Sequence, residues 1–192
     1  GAGSAERIVC PVHRWTYDRQ GKLLGAPRFR HNPCLDLKRD ALENWQGLLF
    51  AGPRSAHADL DGMELAAALD FSGFKLDRVE IHECNYNWKT FIEVYLEDYH
   101  VAPYHPGLGG FVTCDDLSWQ FGEWYSVQRV GITSLAKPGS ATYRKWHKAV
   151  LDYYGADRPA QGALWLTYYP TVRVEWVPPV AVLSPATPRR YL

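Results

Sequence analysis

No part of this 192-residue chain is apolar for long enough to cross a bilayer as a helix, which takes roughly 18 or more such residues in a row. The first residues, Gly1-Ala2-Gly3-Ser4-Ala5-Glu6, have neither a basic lead nor an apolar run, so they do not read as a secretory signal. Charge of one sign is missing too: 21 Lys and Arg balance 21 Asp and Glu. Nucleic acid and anionic membranes select a basic face, so neither is an expected partner. Cysteine is scarce. Cys10, Cys34, Cys84 and Cys114 are too widely spaced, in too long a chain, for a disulfide scaffold, and reduced thiols in a cytoplasmic protein are expected. There is no internal repeat, no low-complexity tract and no methionine except Met63.

Aromatic residues are plentiful, with 8 Trp and 12 Tyr, and 46% of residues are hydrophobic. That composition fits a packed interior of about one to one and a half domains. Residues 8–30 alternate and turn, with Trp15 and Tyr17 on one strand face and a turn at Asp18-Arg19-Gln20-Gly21. Leu48-Leu49-Phe50 reads as a strand ended by Gly52-Pro53, followed by a polar linker over 54–61 and helical character over 63–69. Lys75 to Glu83 alternates and predicts a strand with a polar face. Asn87 can cap a helix running from Trp88 to His100, with Pro103 breaking it. Residues 111–118 read as loop, 124–130 as strand, and Tyr143 to Tyr154 as helix. Strands at 164–169, 172–176 and 180–183 follow, the last two separated by a turn at Pro178-Pro179. The fold class expected is α+β: a β-rich partial domain, then helices on an antiparallel sheet.

The chemistry concentrates in Glu97-Asp98-Tyr99-His100-Val101-Ala102-Pro103-Tyr104-His105. On the predicted helix Glu93, Glu97 and His100 fall on one stripe, and the proline redirects His105. Two neutral imidazoles plus a carboxylate, with open positions, suit non-haem Fe(II) and oxygen chemistry. Far upstream, Cys10-Pro11-Val12-His13 pairs a thiol and an imidazole at ligand spacing. Mixed Cys/His ligation marks a Rieske cluster. Cys10, His13, His31 and Cys34 also have the residue types of a tetrahedral zinc site. Glu97-x-x-His100 is half of a di-iron bundle motif, but no second copy exists in the chain. His31, His57, His82 and His147 have no partner pattern and are assigned to surface or packing, Cys84 and Cys114 to inert thiols, and Asp98 to solvent or a cap. Trp124, Tyr125, Tyr143 and Trp146 are candidates for an aromatic cage, with packing the competing role of each.

Cys10-x-x-His13-x-Trp15-x-Tyr17 with Gly21, Trp45-Gln46-Gly47-Leu48-Leu49-Phe50, and Asn87-Trp88-Lys89 followed by Glu93 and Glu97-x-x-His100-x4-His105-Pro106 resemble, over nearly the whole chain, the large subunit of the Rieske non-haem iron oxygenases, the ring-hydroxylating alpha subunits. The resemblance implies a Rieske [2Fe-2S] domain ending near residue 55 and a mononuclear-iron catalytic domain over 56–192. It implies Cys10 and His13 as cluster ligands, His100 and His105 as iron ligands, and Glu97 as the carboxylate that bridges the two centres. The family's first Cys-x-His pair and its third iron ligand, an aspartate, are absent from the chain, so an internal fragment of a longer polypeptide is expected. Glu97 stands where ring-dihydroxylating members have aspartate, and it is similar to the branch that oxidises choline- or carnitine-like amines. The implied activity is oxidation of an aromatic ring or quaternary amine, mono- or dioxygenase in outcome, using O2 and electrons from NAD(P)H through a reductase or ferredoxin. A homotrimer and a cytoplasmic location are implied as well. Two other classes stay open: a zinc-stabilised structural or binding protein using Cys10, His13, His31 and Cys34, and a hydrolase with His100 and His105 on zinc.

Overall fold

The computed structural model describes residues 3–105, 112–132, 141–155 and 160–186. The chain forms two compact units, one of residues 1–43 with 49–53, the other of residues 44–48 with 54–192.

In the first unit, β1 (Arg7–Val9), β2 (Thr16–Asp18) and β3 (Leu23–Gly25) make a three-stranded antiparallel sheet in the order β1-β2-β3. The β2–β3 turn is built by Asp18, whose carboxylate accepts the amides of Gln20 (2.9 Å) and Lys22 (2.8 Å). Gly21 takes φ +82° there, which an L side chain rarely adopts. The sheet presents the β1–β2 loop that carries Cys10 and His13. Behind it Leu23 is buried, and Trp15 meets Phe29 edge to face at 5.4 Å. The short strands β4 (Glu43–Trp45) and β5 (Leu48–Phe50) form a ribbon through which the division between units passes.

The second unit is a five-stranded antiparallel sheet with helices against it, as the α+β expectation held. Its strands are β6 (Val112–Phe121), β7 (Tyr125–Ile132), β8 (Ala163–Tyr168), β9 (Val172–Val177) and β10 (Val180–Pro185), in the order β10-β9-β8-β7-β6. The helices are α1 (Ala56–Asp59), α2 (Trp88–Val94), α3 (Val101–Tyr104) and α4 (Ala141–Tyr154), with a 3-10 turn at Ala66–Leu69. Alternation gives the sheet two faces, and cross-strand partners share one. One face is an apolar core: Val127, Leu166 and Val174 stand in register, beside Leu164 and Trp176, all buried. The opposite face is apolar at one end, where Val112, Val130, Ala163 and Trp165 cluster with Val101 of α3. Elsewhere that face carries Ser126, Gln128, Thr167 and Arg173, which are the buried polar side chains among the described residues.

Five local expectations are corrected. The helix over 88–100 stops at Val94, and Tyr95 closes it with its amide on Glu93 and Ile92 carbonyls. Residues 95–100 are turn and irregular structure, and α3 begins after His100. Pro103 sits within the first turn of α3, where its missing N–H costs nothing, so it does not break a helix. The alternating segment 75–83 has no sheet partner among the described residues and is exposed throughout, because alternation makes a strand only when another edge pairs with it. Most of 111–118 is not loop but the start of β6, whose register shifts between Thr113 and Ser118 (Phe111 lies outside the described residues). The polar linker contains α1, a single turn capped by Ser55, whose hydroxyl accepts the Ala58 amide at 3.3 Å. The expected cap at Asn87 is present, its side chain accepting the Lys89 amide at 2.9 Å.

Candidate metal centre

Sequence separation places His100 and His105 at the two ends of one short helix. His100 is the N-cap of α3 and His105 its C-cap, with the His105 amide on the Val101 carbonyl at 2.8 Å. A single helical turn therefore brings the rings within 5.2 Å of each other, at 76°. His100 is partly buried and His105 is exposed. Glu97 grips His100 twice: its carboxylate meets Nδ1 of the ring and accepts the His100 backbone amide at 3.3 Å. Burial raises the Glu97 carboxyl, but the hydrogen bonds from His100 outweigh it and hold the group below the usual carboxylate range. A carboxylate on Nδ1 calls for the proton on that nitrogen, so a neutral ring would offer the Nε2 lone pair to a metal. Two imidazoles in this arrangement fit two positions of a mononuclear iron. Among the described residues no group of three or more His, Cys, Asp and Glu side chains converges as a complete metal set.

Glu93, predicted on a stripe with Glu97 and His100, stays exposed on α2 while the other two lie beyond the helix. Asp98 does more than cap. Its carbonyl accepts the Val101 amide at 3.0 Å, and its side chain accepts from the Cys114 thiol. Burial, with Asp98 and Asp115 nearby, pushes that thiol up to about 11, so Cys114 stays protonated. Asp98 and Cys114 line a cavity of about 540 Å³ together with Tyr99, Asp115, Leu117 and Trp119.

In the first unit, Cys10 donates its amide to the Trp15 carbonyl and accepts the Arg14 amide on its own carbonyl, both at 2.9 Å. The amides of His13 and Val12 point at its sulfur and lower the thiol, which favours the thiolate that ligates a metal. His13 is exposed on the same loop. The thiol and imidazole fit half of a Rieske ligand set. Cys34 is exposed with its Sγ on the Asn32 carbonyl at 3.5 Å, and Cys10, His13, His31 and Cys34 do not gather into a zinc site. His57 reaches the Asn44 carbonyl, and His82 faces Glu80 at 3.5 Å.

The four aromatic residues considered for a cage do not form one. Trp124 is already covered by the Arg54 guanidinium at 3.8 Å, Tyr125 faces the apolar core, and Tyr143 and Trp146 pack on each other at 5.2 Å on α4. The sequence reading missed the polar sheet face. Arg173, fully buried, stacks on Tyr95 at 3.6 Å and donates to Glu175 at 3.3 Å and to Thr167 at 3.4 Å. Burial pushes its guanidinium down to about 10 against the pull of Glu175. Polar residues at alternate positions of strands that otherwise read as core were the available signal.

The family model "Ring hydroxylating alpha subunit (catalytic domain)" matches residues 65–191, and "Rieske [2Fe-2S] domain" matches residues 1–41. Putrescine 2-hydroxylase of Ralstonia nicotianae is 62% identical over 98% of this chain and 52% of that protein. Putrescine 2-hydroxylase of Bordetella bronchiseptica is 56% identical over 95% of this chain and 43% of that one. The chain thus spans about half the length of the curated relatives it matches. The quaternary ammonium Rieske monooxygenase CntA superposes with a TM-score of 0.66 at 21% identity, covering 92% of this chain and 46% of that structure, a likeness of fold. No described helix is long and apolar enough to cross a membrane. The catalytic-domain match covers about two thirds of the sequence and contains Glu97, His100 and His105, and the Rieske match precedes it, so this chain belongs to the ring-hydroxylating alpha subunit family.

Proposed function

We propose that the protein of which this chain is part is the terminal oxygenase of a Rieske system and hydroxylates a small aliphatic amine. The observation that carries the reading is the His100 imidazole fixed through Nδ1 by Glu97, with His105 beside it, in a chain 62% identical to a putrescine 2-hydroxylase. His100 and His105 would hold the mononuclear iron, and Cys10 and His13 would hold part of the [2Fe-2S] cluster. Residues 1–55 are taken as the end of the Rieske domain and 56–192 as the start of the catalytic domain. When bound, the two centres supply electrons and activate O2 beside the substrate. Glu97 keeps the His100 ring in the tautomer and orientation that ligation needs, and it is the residue through which the two centres would communicate. Both histidines must be neutral to bind. The electron donor is an NAD(P)H-dependent reductase or ferredoxin, and the assembly is a trimer in which one subunit's cluster serves another's iron. Amines rank ahead of aromatic rings as substrates because the named relatives include putrescine 2-hydroxylases and carnitine monooxygenase subunits.

The test uses the full-length protein with its reductase, NAD(P)H and putrescine, read by hydroxylated product. His100→Ala and His105→Ala are each expected to abolish product while the Rieske absorption persists, because the two centres are separate. Bleaching of the cluster in His100→Ala would sink the assignment of that residue to the mononuclear iron.

A further inference from the structure

Of the four buried polar side chains on this sheet face, three make hydrogen bonds, although Nη2 of Arg173 has no partner. Ser126 meets the Tyr169 hydroxyl at 3.3 Å, and Thr167 and Arg173 bond each other at 3.4 Å. Gln128 is 2% exposed, yet neither Nε2 nor Oε1 has a hydrogen-bond partner. An unpaired buried amide is costly, and a sequence can place leucine there at no such cost. Its neighbours across the sheet are both tryptophans: Trp119 on β6 and Trp165 on β8 stand in register with Gln128. Trp165 packs in the cluster that contains Val101, the residue after His100. Trp119 lines the 540 Å³ cavity that Asp98 and Asp115 make acidic.

We propose that Gln128 is the specificity-determining residue for the amine: its amide oxygen accepts an N–H from a primary ammonium held between the Trp119 and Trp165 indoles. This rests on the amine reading above and names how that amine is recognised. Indole faces attract any organic cation, methylated or not. A hydrogen-bond acceptor favours a primary ammonium, which has three N–H donors, over a quaternary one, which has none. Asp98 and Asp115 draw the cation to the cavity, and Trp119, 43% exposed at the sheet's edge, forms part of its wall. The Arg173 guanidinium lies 5.8 Å from the Trp165 ring centroid and would repel the cation, but Glu175, in register with Trp165, offsets its charge at 3.3 Å.

The experiment compares wild-type full-length holoenzyme with Gln128→Leu, using 1,4-diaminobutane and its mono-N,N,N-trimethyl derivative. The ratio of kcat/KM for the diamine over the trimethyl derivative is expected to fall about 10- to 100-fold, the loss of one hydrogen bond to a charged group, and to fall mainly through KM for the diamine. The substrate-free Gln128→Leu protein is expected to melt at the same temperature or higher, because leucine removes the unpaired amide. An unchanged ratio, with wild type turning over the diamine, overturns the role of Gln128 and leaves the amine reading intact. Equal losses on both substrates with a lowered Tm make the amide structural and also overturn it. Wild-type preference for an ω-amino acid over the diamine, with the carboxylate on Arg173, overturns it too. Turnover of neither amine by wild type defeats the amine reading itself.

Discussion

Glu97 shows how much chemistry one side chain carries at this centre. It leaves α2 after the helix has ended, and both of its oxygens turn back to His100, one to the ring and one to the amide. Its carboxylate stays ionised because those bonds outweigh its burial. Glu97→Gln keeps the shape and one acceptor but removes the charge. In the full-length protein both metals are expected to stay bound, while electron transfer to the iron slows roughly 10- to 100-fold. Single-turnover kinetics on pre-reduced protein measures this, and an unchanged rate would reduce Glu97 to a helix-end carboxylate.

At the scale of elements, α1 is fastened to β8 by a cluster that the sequence did not announce. The Arg54 guanidinium donates to Asp59 at 2.6 Å and to the Tyr169 carbonyl at 2.7 Å, while its flat face covers Trp124. The Tyr168 hydroxyl donates to the same Asp59 oxygen at 2.6 Å. The hydrogen bond from Arg54, and then that from Tyr168, hold the Asp59 carboxyl below its ordinary value of 3.8. A carboxyl depressed in the folded state stabilises the fold above its unfolded pKa, and that stability is lost as pH falls through the folded value. Asp59→Asn removes the group that titrates. Melting temperatures measured from neutral pH downward should then decline less steeply below 3.8 than in wild type. Equal slopes in the two proteins would show that Asp59 is ionised without favouring the fold.

For the whole molecule, Cys10 and His13 lie in one compact unit and His100 and His105 in the other, so the two proposed centres draw on separate units. Cys10 has two amides on its sulfur, whereas Cys34 is exposed with its Sγ only on the Asn32 carbonyl. In the full-length protein Cys10→Ser is expected to lose the cluster absorption and Cys34→Ser to keep it. The reverse result would return the zinc-type grouping to consideration.

The sequence by itself determined the residue types and their local order. Short-range physics is enough for the Asp18 turn, the Asn87 cap, the helical spacing of α4 and the strand character of β7 to β9, each settled by groups a few residues apart. The pairing of His100 with Glu97 and His105 was legible for the same reason, since one turn spans it. Partnering decided the rest. The alternation over 75–83 has no edge to join among the described residues, and the α2 periodicity was overruled at Val94. Only register across β6, β7 and β8 sets Gln128 between Trp119 and Trp165. Trp165 is far from the other two in the chain, and a sheet face exists only once the strands have paired.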